Sequence, residues 1–113
     1  MTTTADLPLA IETYLAASLT RDAPAAAAVL SPEVRVLDDG GTYVGHAAVM
    51  EWFERAASEF TYTTTLLEAT RITDGTWVVT NRLDGNFPGN TVTLDYTFQL
   101  GADGRIVDLV IAP

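Results

Sequence analysis

At 113 residues and 12.1 kDa the chain has the size of one domain, because two separate cores would each be too small to stand alone. Nearly half of it is hydrophobic (48%) and its mean hydropathy is +0.18, which excludes a disordered chain. Six Lys-plus-Arg against fifteen Asp-plus-Glu leave a net charge of −9, so it lacks the basic stripe that nucleic acid or an anionic membrane surface requires.

The first half of the sequence reads as helical. Asp6 can cap a helix over Leu7–Leu19, with Pro8 in its first turn, where a missing N–H costs nothing. Leu7, Ile11, Tyr14 or Leu15, and Ser18 recur at helical spacing. After a break at Thr20-Arg21-Asp22, Asp22 caps a second helix running through Ala25 to Leu30, and Ser31-Pro32 ends it. Val34–Asp38 reads as a strand, Asp39-Gly40-Gly41 as a hairpin turn, and Thr42–Val44 as the returning strand. Gly45-His46 then leads into a third helix, Ala47–Ser58, whose broad apolar face carries Val49, Met50, Trp52, Phe53 and Ala56.

The second half reads as strands. Phe60–Ile72 is rich in Thr, Tyr and Leu, and Thr73-Asp74-Gly75 turns into a strand over Thr76–Leu83. Asp84–Asn90 is a loop containing Phe87-Pro88. Thr91–Leu100 alternates strictly, with Val92, Leu94, Tyr96, Phe98 and Leu100 on one face and Thr93, Asp95, Thr97 and Gln99 on the other. Gly101–Gly104 turns, and Arg105–Ile111 is the last strand. The order α-α-β-β-α-β-β-β-β indicates an α+β domain spanning residues 1–113. A meander this long must curl around the three helices to hide one face, which makes a cone with an open mouth and a hydrophobic pocket.

Several phrases in this order resemble the NTF2-like superfamily, in its SnoaL-like and ketosteroid-isomerase-like branch. They are Ile11-Glu12-Thr13-Tyr14-Leu15-Ala16-Ala17, Val29-Leu30-Ser31-Pro32-Glu33-Val34, Gly45-His46-Ala47-Ala48-Val49, Leu94-Asp95-Tyr96-Thr97-Phe98 and Asp103-Gly104-Arg105-Ile106. The resemblance covers nearly the whole chain and implies a curled antiparallel sheet wrapped around the helices. It also implies a homodimer formed through the outer face of the sheet. Such folds host isomerases, cyclases, epoxide hydrolases and non-catalytic binding modules, so function has to be argued from the site.

In ketosteroid-isomerase-like members an Asp on the first strand is the base, and a helix Tyr with a protonated late-strand Asp forms the oxyanion hole. The resemblance carries these roles to Asp38, Tyr14 and Asp95. Helical phase independently turns Tyr14 inward, where its hydroxyl would meet either a ligand oxygen or the backbone. Strand phase puts Asp38 on the face of Val34 and Val36; within Asp38-Asp39-Gly40-Gly41 the same residue also reads as a turn aspartate. For Asp95 phrase and phase disagree, because the pleat turns it outward and puts Leu94 in the slot unless a bulge intervenes.

Trp52, Phe53, Trp77, Val79 and Leu83 are core residues, some of which line the cone if it is hollow. Asn81, on the face of Trp77, is a candidate for orienting a ligand, and Phe87 beside Pro88 for lidding the pocket. His46 reads as a capping or surface residue and, less directly, as a proton shuttle.

Without cysteine and with one histidine, no thiolate nucleophile and no multi-histidine metal site can form, so neither a metal nor another cofactor is expected. The reading is a SnoaL-like pocket protein for a small hydrophobic molecule. If catalytic, it is a cofactor-free isomerase or cyclase moving a proton next to a carbonyl; otherwise it is a non-catalytic ligand-binding or dimerisation module. No apolar run approaches ~20 residues and the N-terminus has no basic signal-peptide region, so the expected setting is the cytoplasm.

Overall fold

The computed structural model describes residues 7–59 and 61–113. The cap expected at Asp6 and the first residue of the strand expected from Phe60 lie outside them.

The chain folds as α1 (Leu9–Thr20), α2 (Ala23–Val29), β1 (Leu30–Asp38), β2 (Gly41–Val44), α3 (His46–Glu59), β3 (Tyr62–Thr73), β4 (Thr76–Gly85), β5 (Thr91–Leu100) and β6 (Ile106–Ala112). Pro8 stands just before α1 rather than within it, and Arg21 closes the helix in the left-handed conformation at φ 57°. Asp22 caps α2 by accepting a hydrogen bond from the Ala25 N–H at 3.2 Å. No helix among the described residues is long and apolar enough to cross a membrane.

The six strands form one open sheet in the order β2-β1-β6-β5-β4-β3, curled around the helices. All neighbours are antiparallel except β1 and β6, which run parallel. The sheet is therefore mixed rather than purely antiparallel. The parallel pair arises because the chain crosses from β1 through β2, α3 and the whole meander before β6 returns beside β1. β1 also begins earlier than the sequence suggests. Leu30 pairs with Ile106, the register slips, and regular pairing resumes at Arg35 with Asp108. Pro32 falls in that slipped stretch, where no ladder hydrogen bond is required of it.

Register across the sheet explains where the interior is solid. One transverse row, Val36–Leu109–Phe98–Trp77, consists of residues at most 4% exposed and forms the closed floor of the cone. Ile11, Tyr14 and Ala17 of α1, and Val49, Trp52 and Phe53 of α3, join the same core. The next row towards the C-terminal end of β1 is Asp38–Ile111–Tyr96–Val79–Ala69. Beyond it lie Leu94–Asn81–Leu66 and then Val92–Leu83–Thr64. These outer rows are where the helices no longer fill the sheet's concave face. β3 keeps pace with β4 only by a bulge that leaves Leu67 without a partner between Leu66↔Asn81 and Glu68↔Thr80, and its side chain is exposed.

Candidate functional site

At the open end of the cone lies a cavity of about 540 Å³. Six of the nine side chains singled out from the sequence line it: Tyr14, Asp38, Trp52, Phe53, Phe87 and Leu94. Tyr62, Tyr96 and Ile111 line it as well, Ile111 beside Asp38 on the neighbouring strand.

Asp38 is the last residue of β1, half-buried, on the inward face set by Val34 and Val36. Its Oδ2 accepts a hydrogen bond from the Trp52 indole Nε1–H at 3.1 Å. The carboxylate is thus oriented by α3 rather than turned into the hairpin. Trp52 is itself braced: its ring lies 6.1 Å from that of Tyr43, whose hydroxyl accepts from Arg55 at 2.9 Å while the guanidinium lies over the Tyr43 ring.

Tyr14 is 2% exposed and held edge-on between Phe53 and Phe98, with ring centroids 5.9 and 5.7 Å away. Among the described residues its hydroxyl makes no hydrogen bond, and no fully enclosed polar side-chain atom lacks a partner; the phenol oxygen therefore opens onto the cavity. Burial pushes its pKa well above the usual phenol range, and Tyr96, Tyr62 and Asp38 add to the rise. Tyr96 is raised too, by burial first and then by Tyr62 and Asp38. Three phenols therefore share one electrostatic neighbourhood with one carboxylate, and both buried ones stay protonated at neutral pH.

The remaining three side chains lie elsewhere. Asp95 is exposed on the outer face, where it accepts a hydrogen bond from the Thr80 hydroxyl at 2.7 Å. The β4–β5 register runs unbroken from Thr76↔Gln99 to Asp84↔Thr91, so no bulge turns Asp95 inward. The phrase match at Leu94-Asp95-Tyr96 is overruled by the pleat, and Leu94 and Tyr96 hold the inward positions. Trp77 belongs to the solid floor beside Phe98, not to the cavity wall. Asn81 faces a separate recess described below. His46 opens α3, with Nε2 3.0 Å from the Ala27 carbonyl, tying α3 to α2 away from the cavity.

Two cavity tyrosines were not among the sequence candidates. Tyr96 was legible, since strict alternation already turned it inward. Tyr62 was not, because β3 is Thr-rich and its bulge breaks the phase that would reveal which face is inner.

Phe87 and Pro88 reach the cavity's rim from a tightly built loop. The Asn86 side chain accepts from the Thr61 N–H at 2.9 Å, the Asn86 N–H donates back to the Thr61 carbonyl at 3.1 Å, and Gly89 sits at φ 86°. A Cβ at Gly85 would collide with that same Thr61 carbonyl, so the close approach of β3 to this turn requires glycine. Among the described residues no group of three or more His, Cys, Asp or Glu is placed to hold a metal ion.

Comparison with known proteins agrees with this architecture. The model of the SnoaL-like domain family matches residues 11–109. A candidate polyketide cyclase from Sinorhizobium meliloti is 32% identical and superposes with a TM-score of 0.90, over 98% of this chain and 100% of that one. A Mycobacterium tuberculosis protein crystallised with estradiol-17β-hemisuccinate is 17% identical (TM-score 0.78, 93% of this chain and 91% of that one). The Δ5-3-ketosteroid isomerase of a Mycobacterium species is 16% identical (TM-score 0.75, 92% and 89%). No curated protein sequence matches. Family model, 32% identity over full length and the open cone together show that the chain belongs to the SnoaL-like family of the NTF2-like superfamily.

Proposed function

We propose that this chain binds a small hydrophobic carbonyl compound in the cone and moves a proton at the carbon next to that carbonyl. The observation that carries the reading is the pairing of a braced carboxylate, Asp38, with the buried Tyr14 phenol on one cavity. Asp38 takes the α-proton as general base. Tyr14, kept protonated by its raised pKa, donates a hydrogen bond to the oxygen on which enolate charge develops. Leu94 takes the inward slot beside Asp95, and Tyr96, the next inward residue and part of the same cavity wall, carries a phenol that serves as the second donor. Apolar walls from Phe53, Leu94 and Ile111 favour a hydrophobic substrate, and the described lining residues include no Lys or Arg to hold a phosphate or carboxylate. The polyketide-cyclase and steroid-related relatives support the same ligand class. The working form is a homodimer built through the outer sheet face, as the resemblance implies, and no cofactor takes part.

A second reading is a non-catalytic ligand-binding or dimerisation module. It is favoured by the outward position of Asp95, which leaves the inward face of β5 without a carboxylic acid. The two readings separate on one assay, the isomerisation of a β,γ-unsaturated ketone such as 5-androstene-3,17-dione followed by absorbance of the conjugated product. Catalysis predicts turnover that Asp38→Asn lowers by about 10²–10⁴-fold. Binding of the ketone without turnover by the wild-type protein would establish the module.

A further inference from the structure

Beside the main cavity lies a second, smaller recess of about 100 Å³, lined by Leu15, Ser18, Leu19, Thr64, Leu66, Asn81 and Tyr96. Ser18 and Tyr96 line both spaces, so the recess adjoins the cavity along the Tyr96 ring. Asn81 is 2% exposed and sits mid-strand in β4, between Leu66 on one side and Leu94 on the other. Among the described residues its amide makes no hydrogen bond, yet no fully enclosed polar side-chain atom is left without a partner. The amide must therefore open onto the recess. An amide costs free energy to hold in an apolar wall unless something pairs with it. A recess of this volume has room for about three waters or for one small polar group.

Its place in the sheet suggests what that group is attached to. Asp38, Ile111, Tyr96 and Val79 follow one another across β1, β6, β5 and β4, and Asn81 lies one inward position beyond Val79. Three strand spacings of ~4.8 Å separate β1 from β4 and two residues of ~3.3 Å separate Val79 from Asn81, so Asn81 is roughly 16 Å from Asp38 along the sheet, less across the curled face. We infer that the Asn81 recess is a second polar subsite, which receives the distal hydroxyl or carbonyl of an elongated hydrophobic ligand whose other end lies at Asp38 and Tyr14. The Asn81 amide can both donate and accept, so either group is recognised; Ser18, Thr64 and Tyr96, which line the same recess, carry the other polar groups there. This inference rests on the ligand reading above and narrows it: the substrate carries two oxygens, one at each end of an apolar body.

The test is a pair of probes, 17β-estradiol and its 17-deoxy analogue, titrated against wild type and Asn81→Leu by tryptophan fluorescence, with Trp52 in the cavity wall as reporter. Wild type is expected to bind the hydroxylated probe about five- to tenfold more tightly, the value of one well-placed hydrogen bond. Asn81→Leu is expected to lose that preference while still binding the deoxy probe. Equal affinities in wild type, or a preference that survives Asn81→Leu, would overturn the subsite and leave the cavity reading standing. Failure of wild type to bind either probe would overturn both. A measurement on the wild-type chain guards against a misfolded variant: the Asn81 side-chain NH₂ resonances should shift with estradiol and stay in place with the deoxy analogue. Shifts of equal size with both would contradict the assignment.

Discussion

The hydroxyl of Tyr14 offers a test that separates a binding group from a structural one. Tyr14 is 2% exposed, and its ring is gripped by Phe53 and Phe98, yet its oxygen makes no hydrogen bond among the described residues. Tyr14→Phe keeps both edge-on ring contacts and removes only that oxygen. No internal hydrogen bond is lost, so stability is expected to stay within about 0.5 kcal/mol of wild type, because the oxygen opens onto the cavity and has no protein partner to leave unpaired. Tyr14→Ala removes the ring as well and leaves a hole in the core, costing about 3–5 kcal/mol as for other aromatic truncations. Urea melts of the three proteins give these numbers from the shift in midpoint at constant slope. In the same preparations, Tyr14→Phe should lose about 10²–10³-fold in turnover of the β,γ-unsaturated ketone, the usual loss for one oxyanion donor. A loss of 1.5 kcal/mol or more in Tyr14→Phe, with turnover intact, would refute the reasoning and make Tyr14 an ordinary core tyrosine.

Two further outcomes follow from the same geometry. The chain has no lysine, so tyrosines dominate its side-chain titration between about pH 9 and 12. Tyr14 and Tyr96 have raised pKa values in the fold, whereas in the unfolded chain they ionise near pH 10. Their contribution to stability is therefore intact below pH 10 and is lost above it, by up to ~1.4 kcal/mol per pH unit for each. Tyr14→Phe should remove about half of that alkaline slope in melts run from pH 9 to 11.5, and an unchanged slope would show that Tyr14 ionises freely in the fold. Asp95→Asn, on the outer face, should leave ketone turnover within about twofold of wild type and stability within about 0.5 kcal/mol; a tenfold loss of turnover would contradict its outward placement.

Much of this was legible in the sequence where one residue's phase decides the outcome. Strict alternation from Val92 to Leu100 already turned Tyr96 inward and Asp95 outward, against the local phrase, and the unbroken β4–β5 register has the same phase. Asp22 as a helix cap follows from its side chain and from Pro24 behind it. What stayed hidden depends on contacts between strands distant in sequence. The row Val36–Leu109–Phe98–Trp77, which makes Trp77 floor rather than wall, exists only once β6 lies parallel beside β1, and no local pattern encodes that pairing. Tyr62 was obscured because the bulge at Leu67 resets the alternation of β3. The brace on Asp38 from Trp52, fourteen residues away, likewise needs the angle at which α3 crosses the end of β1.

The central claim is that Asp38 removes a proton from carbon in this cavity. It is tested most directly by hydrogen exchange at the α-carbon of the bound ketone in deuterium oxide, followed by proton NMR, which registers abstraction whether or not product forms. The account predicts that wild type speeds loss of the α-proton signal well above the solvent rate and that Asp38→Asn returns it to within about tenfold of that rate. Equal exchange in the two proteins, with the ketone bound to both, would contradict it.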